Sequence, residues 1–263
     1  MTRVIVVVNQ KGGVGKTTTA INAAACLAEA GLPTLLVDID PQCNATSGLG
    51  LAAASPDRSI YGVLDGLTTP AAATLPTAVD DLWLIPSCGD LAGAEVELAG
   101  AADREYALRY ALGGALARYR FVFIDCPPSL GLLTVNGLTA AGEALVPVQA
   151  EYYALEGLAQ ILSTVELVRE RVNPGLRLLG ILVTMLDGRT RLGRDVAAEV
   201  REHLGRDVFA TAVPRNVRLG EAPSHGLPIS RYDPTCAGSD AYFDLAKEIV
   251  DRAPAGDAAP ATV

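Results

Sequence analysis

The chain has 263 residues, half of them hydrophobic, which is enough to bury one large core and asks for no second domain. Its net charge of -9 excludes a uniformly basic nucleic-acid binder, while leaving room for a local basic face on an acidic body. Five cysteines, an odd number without a CxxC pair, point to neither a disulfide framework nor a zinc site and read as small apolar residues.

In chain order, MTRVIVVVNQ is too short an apolar run for a signal peptide, and no later run approaches the roughly 20 apolar residues that span a bilayer. A cytoplasmic location is the expectation. RVIVVV (3–8) reads as a buried strand, and TTTAINAAACLAEAG (17–31) as an Ala-rich helix closed by Gly31. Between them lies QKGGVGKTTT (10–19). Strand, glycine loop and helix N-terminus together form the setting in which backbone N–H groups and the helix dipole hold an anion. An ordinary phosphate loop, GxxxxGK[ST], would begin with glycine where this chain has Gln10, and a second lysine, Lys11, follows. The chain has only three lysines against eighteen arginines, and two of the three sit in this loop. A compact ammonium on a flexible stem can reach a phosphate from one side, whereas a guanidinium is a planar fork.

The remaining apolar runs read as strands over 34–40, 82–86, 121–128, 144–149 and 176–185. Helical patterns cover 103–118, 131–141, 154–171, 190–204 and 239–251. Apolar strands alternating with helices predict an α/β fold with a mostly parallel central sheet and helices on both faces, and the glycine–lysine loop makes it a single-domain P-loop NTPase. Residues 1–252 form the expected domain, and the Pro/Ala-rich 253–263 the expected disordered tail. Ligands of such sheets bind at the carboxyl ends of the strands, where the loop, Asp40 and Asp125 should converge.

The chemistry follows by residue. Gly12, Gly13, Val14 and Gly15 bring backbone close to phosphates; Lys16 reaches the β and γ oxygens; Thr17 offers a hydroxyl to Mg²⁺; and Thr18 adds an α-phosphate contact. Asp125, after the apolar FVFI, occupies the position of an acid that holds the metal directly or through water. Asp40, expected at the end of its strand before the turn-rich PQCNATSGLG, is the candidate for orienting the attacking water; Asp38 could simply cap that strand end. His203 and His225 lack ligand-spaced partners and are expected to be structural.

With VDIDPQCNATSGLG and FIDCPPSLG, the KGGVGKTT loop resembles the ParA/Soj family of chromosome and plasmid partitioning ATPases, members of the deviant Walker A group that also contains MinD. The resemblance runs from about residue 1 to 252 and continues through VTMLDGRTRLGRDV and VPRNVRLGEAPSHGLPI. It implies that ATP drives a face-to-face homodimer in which Lys11 reaches the partner's nucleotide, with Gly12 at the subunit contact. The ATP dimer would bind double-stranded DNA without sequence preference, on the nucleoid, and a ParB-type centromere-binding partner would stimulate a weak intrinsic ATPase.

Between 189 and 231 there are eight arginines against five acids, a net of +3 that leaves -12 for the remainder. Arg189 and Arg218 match family positions linked to DNA contact, with Arg191, Arg194 and Arg215 as neighbours. The loop 213–223, with Thr184 and Met185, is similar to the family's adenine-side wall, where Pro214 and Asn216 are candidate base contacts. Tyr152, Tyr153 and Glu156 are expected at a dimer surface or in the core. A MinD-like membrane switch would need a basic amphipathic C-terminal helix, which the Pro/Ala-rich end does not offer, so no membrane partner is expected. An iron–sulfur reductase would need cysteines near Leu132, and there are none. A replication or transcription regulator using the same ATP switch could share every motif.

Overall fold

The computed structural model describes residues 1–151 and 154–252. The expectations for Tyr152, Tyr153 and the tail lie outside them. The strands are β1 (Arg3–Val7), β2 (Thr34–Asp38), β3 (Leu75–Pro76), β4 (Leu82–Ile85), β5 (Phe121–Asp125), β6 (Glu143–Gln149), β7 (Arg177–Leu186) and β8 (Val208–Pro214). They form one sheet in the order β3-β4-β2-β5-β1-β6-β7-β8, in which every neighbouring pair is parallel except β3 with β4.

Helices occupy the connections. α1 (Lys16–Glu29) follows β1, and α2 (Asn44–Gly48), α3 (Ile60–Leu64) and α4 (Pro70–Ala73) lie between β2 and β3. α5 (Leu91–Leu98) and α6 (Ala107–Leu112) precede β5, while α7 (Leu132–Ala140), α8 (Ala154–Arg171) and α9 (Arg191–Leu204) precede β6, β7 and β8 in turn. α10 (Val217–Glu221), α11 (Ile229–Tyr232) and α12 (Ala237–Asp251) follow β8.

Because helices cover both faces, the central strands are apolar on both sides. Ile5 and Val7 of β1 join Leu36, Phe123 and Leu182 beneath α1 and α12, while Val6, Ile124 and Val146 face Leu133, Leu158 and Ile161 on the other side. Alanines at 20, 23, 24, 25 and 28 let α1 lie close to the sheet. A larger side chain there would cost about 1–3 kcal/mol in overpacking.

One buried charge cluster closes the lower edge. Arg3, 4% exposed, donates through Nε and Nη2 to Glu143 at 2.8 and 2.9 Å, and through Nη1 to the Ile249 carbonyl at 2.6 Å. Arg177 also pairs with Glu143. The cluster ties β1, β6 and β7 to α12, and removing one partner of such a buried pair costs about 3–5 kcal/mol.

Several expectations are corrected. The strand expected over 34–40 ends at Asp38, because the Asp38 carboxylate accepts the Asp40 N–H and turns the chain, so Asp40 lies two residues past the strand. The helix expected over 103–118 is broken into a 3-10 turn at Arg104–Tyr106, α6, and a second 3-10 turn at Gly113–Arg118 that starts at Gly113 with φ 43°. The turn-rich segment after Asp40 contains the short helix α2, and β8, which sequence reading missed, leads into the expected loop at 213–223. The strand expected over 121–128 stops at Asp125, since Pro127 and Pro128 cannot donate to a ladder.

Candidate functional site

The loop between β1 and α1 takes its shape from two glycines in left-handed conformations, Gly13 (φ 76°) and Gly15 (φ 87°). Gly15 is the N-cap of α1 and no side chain caps that helix, so the first-turn N–H groups point at whatever sits over the loop. Neighbouring strands hold the loop in place. Asn9 donates to the Pro147 carbonyl at 2.7 Å and accepts the Lys11 N–H at 3.0 Å. The Thr184 hydroxyl lies 2.8 Å from the Val14 carbonyl and 3.1 Å from that of Val148.

The two lysines have different surroundings. Lys16 is buried, and its ammonium donates to the Lys11 carbonyl at 2.9 Å, bracing the loop from within. Burial lowers its pKa, opposed chiefly by the nearby Asp125. Lys11 is half exposed, does not line the cavity that Lys16 lines, and pairs with Glu151 just beyond β6. A Cβ placed on Gly12 would meet only Pro128 Cβ, at 3.9 Å, so packing within the chain does not demand glycine there.

The acids converge from the strand ends. Asp125 on β5 is the register neighbour of Val7 on β1 and Asp38 on β2. Both its carboxylate oxygens are buried without a hydrogen-bond partner. Burial first, and then the Asp38 charge, push its pKa well up; the Thr17 hydroxyl and Lys16 oppose this, and Asp40 adds to it. Asp38, fully buried, accepts from the Asp40 N–H at 3.1 Å and from the Thr46 N–H and hydroxyl at 2.9 and 2.7 Å. Asp40 is 4% exposed, accepts the Gln42 N–H at 2.9 Å and lines the cavity.

That cavity has a volume of about 430 Å³ and is lined by Gly12, Gly13, Gly15, Lys16, Thr17, Thr18, Asp40 and Met185. Ala222 and Pro223, at the end of the expected loop 213–223, also line it, and sequence reading did not anticipate its further walls: Ile21, Asn22, Asn44, Ser47, Pro128 and Leu227. A second cavity of about 330 Å³ shares Gly15, Thr18 and Met185 and is walled by Pro214, Asn216 and Val217, so the expected base-side residues do adjoin the loop. Met185 joins the two spaces with φ 50°, a left-handed conformation that costs a non-glycine residue about 1–3 kcal/mol and is typical of ligand sites.

An orphaned buried carboxylate facing a threonine hydroxyl suits a hard, oxygen-preferring cation. Among the described residues no group of three or more His, Cys, Asp or Glu could hold a metal alone. A cation here would therefore complete its shell with water and phosphate oxygens, as Mg²⁺ does.

The five expected arginines gather at one end of the sheet. Arg189 lies in the turn between β7 and α9, Arg191 and Arg194 lie in the first turn of α9, and Arg215 and Arg218 follow β8, with the Arg215 N–H bonded to the Leu186 carbonyl at 3.1 Å. Arg189 pairs with Asp187, Arg191 with Asp195, and Arg218 with Glu221 and Asp233. Arg194 donates to the Gly188 carbonyl at 2.7 Å. Pairs this exposed add little to stability.

The histidines have structural surroundings: His203 Nδ1 lies 2.8 Å from the Glu199 carbonyl, and His225 stacks on Tyr232. Cys26, Cys43, Cys88 and Cys126 are buried, and burial pushes the Cys26 thiol up to about 12. Glu156 is exposed in the first turn of α8.

Comparison with known proteins places this geometry. Residues 2–178 match a family described as an AAA domain. The chain is 55% identical over 250 residues to the chromosome-partitioning ATPase Soj of Thermus thermophilus, covering 95% of this chain and 96% of that one. It is 48% identical over 252 residues to the chromosome partitioning protein ParA of Caulobacter vibrioides, covering 95% and 94%. The chain belongs to the ParA/Soj family of partitioning ATPases. Among solved structures, this ParA/Soj chain is similar to cobyrinic acid a,c-diamide synthase from Mycobacterium smegmatis with bound ADP and magnesium. The TM-score is 0.83 at 42% identity, over 94% of this chain and 93% of that one. The eight-stranded, mostly parallel sheet is the P-loop NTPase architecture that the sequence predicts. No helix of the described residues is long and apolar enough to cross a membrane.

Proposed function

We propose that residues 1–252 form an ATP-switched DNA-partitioning ATPase. ATP binding would close two chains face to face, and the dimer would bind double-stranded DNA without sequence preference on the nucleoid. A ParB-type partner would accelerate a weak intrinsic hydrolysis and release the chains into the cytoplasm. The observation that carries this reading is the division between the lysines: Lys16 serves its own cavity, whereas Lys11 stands outside it beside an open Gly12. A face-to-face partner would give Lys11 a phosphate to reach and would put Gly12 at the subunit contact.

In this reading the N–H groups of residues 12–18 and the Lys16 ammonium hold the phosphates. Thr17 and Asp125, directly or through water, would hold Mg²⁺, which when bound neutralises charge on the β and γ oxygens. Met185, Pro214 and Asn216 flank the base. Asp40 orients water for attack on the γ-phosphorus, and the bond to the β-phosphate oxygen breaks. Lys11 of the partner stabilises the departing charge. The partitioning ATPases matched over 95% of the chain support this assignment.

A DNA shift assay with ATP, ADP and a non-hydrolysable analogue tests the reading. Retardation with ATP and the analogue, weakening steeply with salt, is expected. Equal retardation in all three states would overturn it.

A further inference from the structure

We infer that Thr46, which lies outside the cavity, is a positioning residue for turnover: its buried hydroxyl pegs α2 to the ends of β2 and β4 and so fixes the turn that carries Asp40. This rests on the reading of Asp40 as the water-orienting group.

The turn 39–43 has little stability of its own. α2 has only five residues, too few to persist unaided, and its N-cap, Cys43, sits in a left-handed conformation (φ 55°) without a side-chain cap. The Asp38 carboxylate clamps both ends of the segment. One oxygen takes the Asp40 N–H at 3.1 Å, and the other takes the Thr46 N–H at 2.9 Å and the Thr46 hydroxyl at 2.7 Å. The same hydroxyl accepts the Ser87 N–H, just beyond β4, at 3.0 Å. Thr46 is 0% exposed, so its hydroxyl gives its one proton to Asp38, takes one from Ser87 and has no water to replace either.

Asp40 is itself bonded to the Gln42 N–H inside this turn, so the direction of its carboxylate follows the turn's conformation. A loosened peg would leave the phosphate loop, held separately through Asn9 and Thr184, in place while Asp40 wandered.

The test compares Thr46→Val, which keeps the shape and loses both hydrogen bonds, with Thr46→Ser, which keeps the hydroxyl. ATP affinity, single-turnover hydrolysis and Tm are measured for each, beside Asp40→Ala. Thr46→Val is expected to bind ATP within about twofold of wild type while turnover falls about 10- to 100-fold, the scale set by ångström misplacement of a reacting group. Thr46→Ser is expected to retain turnover. Wild-type turnover in Thr46→Val, or parallel loss of affinity and turnover in both variants, would overturn the inference. If Thr46→Val does not fold, Thr46→Ala takes its place; failure of both to fold would make Thr46 structural and likewise overturn it. Normal turnover in Asp40→Ala would instead sink the reading of Asp40, so the two failures are distinguishable.

Discussion

Lys11 and Glu151 form an ion pair at the rim of the phosphate loop, so the loop's second lysine is already engaged within its own chain. If Lys11 acts on a partner's nucleotide, it must leave Glu151 first. The pair is 45% and 30% exposed, so its cost to dimerisation is about 1 kcal/mol or less. Glu151→Gln is therefore expected to dimerise at modestly lower ATP concentration, up to about fivefold lower on that figure. Sedimentation across an ATP titration would check this, and an unchanged or raised midpoint would count against it.

The lysines should separate binding from turnover. Lys16→Ala removes the buried cation at the cavity wall and is expected to lose ATP binding. Lys11→Ala should bind ATP nearly as wild type yet hydrolyse it about 10²- to 10³-fold more slowly, as when a donor aimed at transition-state charge is removed. Fluorescent-nucleotide titration beside a phosphate-release assay distinguishes the two.

On the arginine face, Arg189 pairs with Asp187, and Arg218 with Glu221 and Asp233, all three acids being partly exposed. The double Arg189→Ala, Arg218→Ala variant should dimerise normally and bind DNA more weakly, its salt slope reduced by about 1 for each phosphate left without its arginine. A variant that dimerises and shifts DNA like wild type would remove these residues from the interface.

A pH dependence follows from Asp38, pushed up to about 6 chiefly by burial, with its hydrogen bonds from Thr46 and Asp40 opposing. A carboxyl raised on folding contributes stability that is fully present below its unfolded value of 3.8 and is lost as pH rises to about 6. Asp187, lowered by its hydrogen bonds from Arg189, and Glu221, lowered by those from Arg218 and Tyr232, act in the opposite sense in any variant that keeps them. Nucleotide-free wild type should therefore lose Tm relative to Asp38→Asn across that window. A constant difference between the two melting curves would contradict the shift.

Much of this arrangement is legible in the sequence, for physical reasons that also mark where legibility ends. β1, β2, β5, β6 and β7 are buried in the sheet interior, so their apolar runs stand out. β8, with Ala210, Thr211 and Ala212 at least partly exposed, carries no such run and reads as loop. The phosphate loop announces itself because its backbone needs Gly13 and Gly15 at positive φ. Asp125 does stand at the end of its strand. Asp40 lies two residues beyond the end of its own, because an Asp that accepts the N–H two positions on ends a strand without changing its composition. Thr46 and Ser87 give no signal at all: their contact joins residues 41 apart, and a threonine in a turn-rich segment looks the same whether or not it holds one. Glu151 is equally silent, since an ion pair between distant segments has no periodicity.

The central claim is that ATP joins two chains through Lys11, and light scattering of Asp40→Ala saturated with ATP and Mg²⁺ tests it most directly. The account expects a particle of twice the single-chain mass, reverting to one chain when Lys16→Ala is added. A single-chain mass for the ATP-saturated Asp40→Ala protein would contradict it.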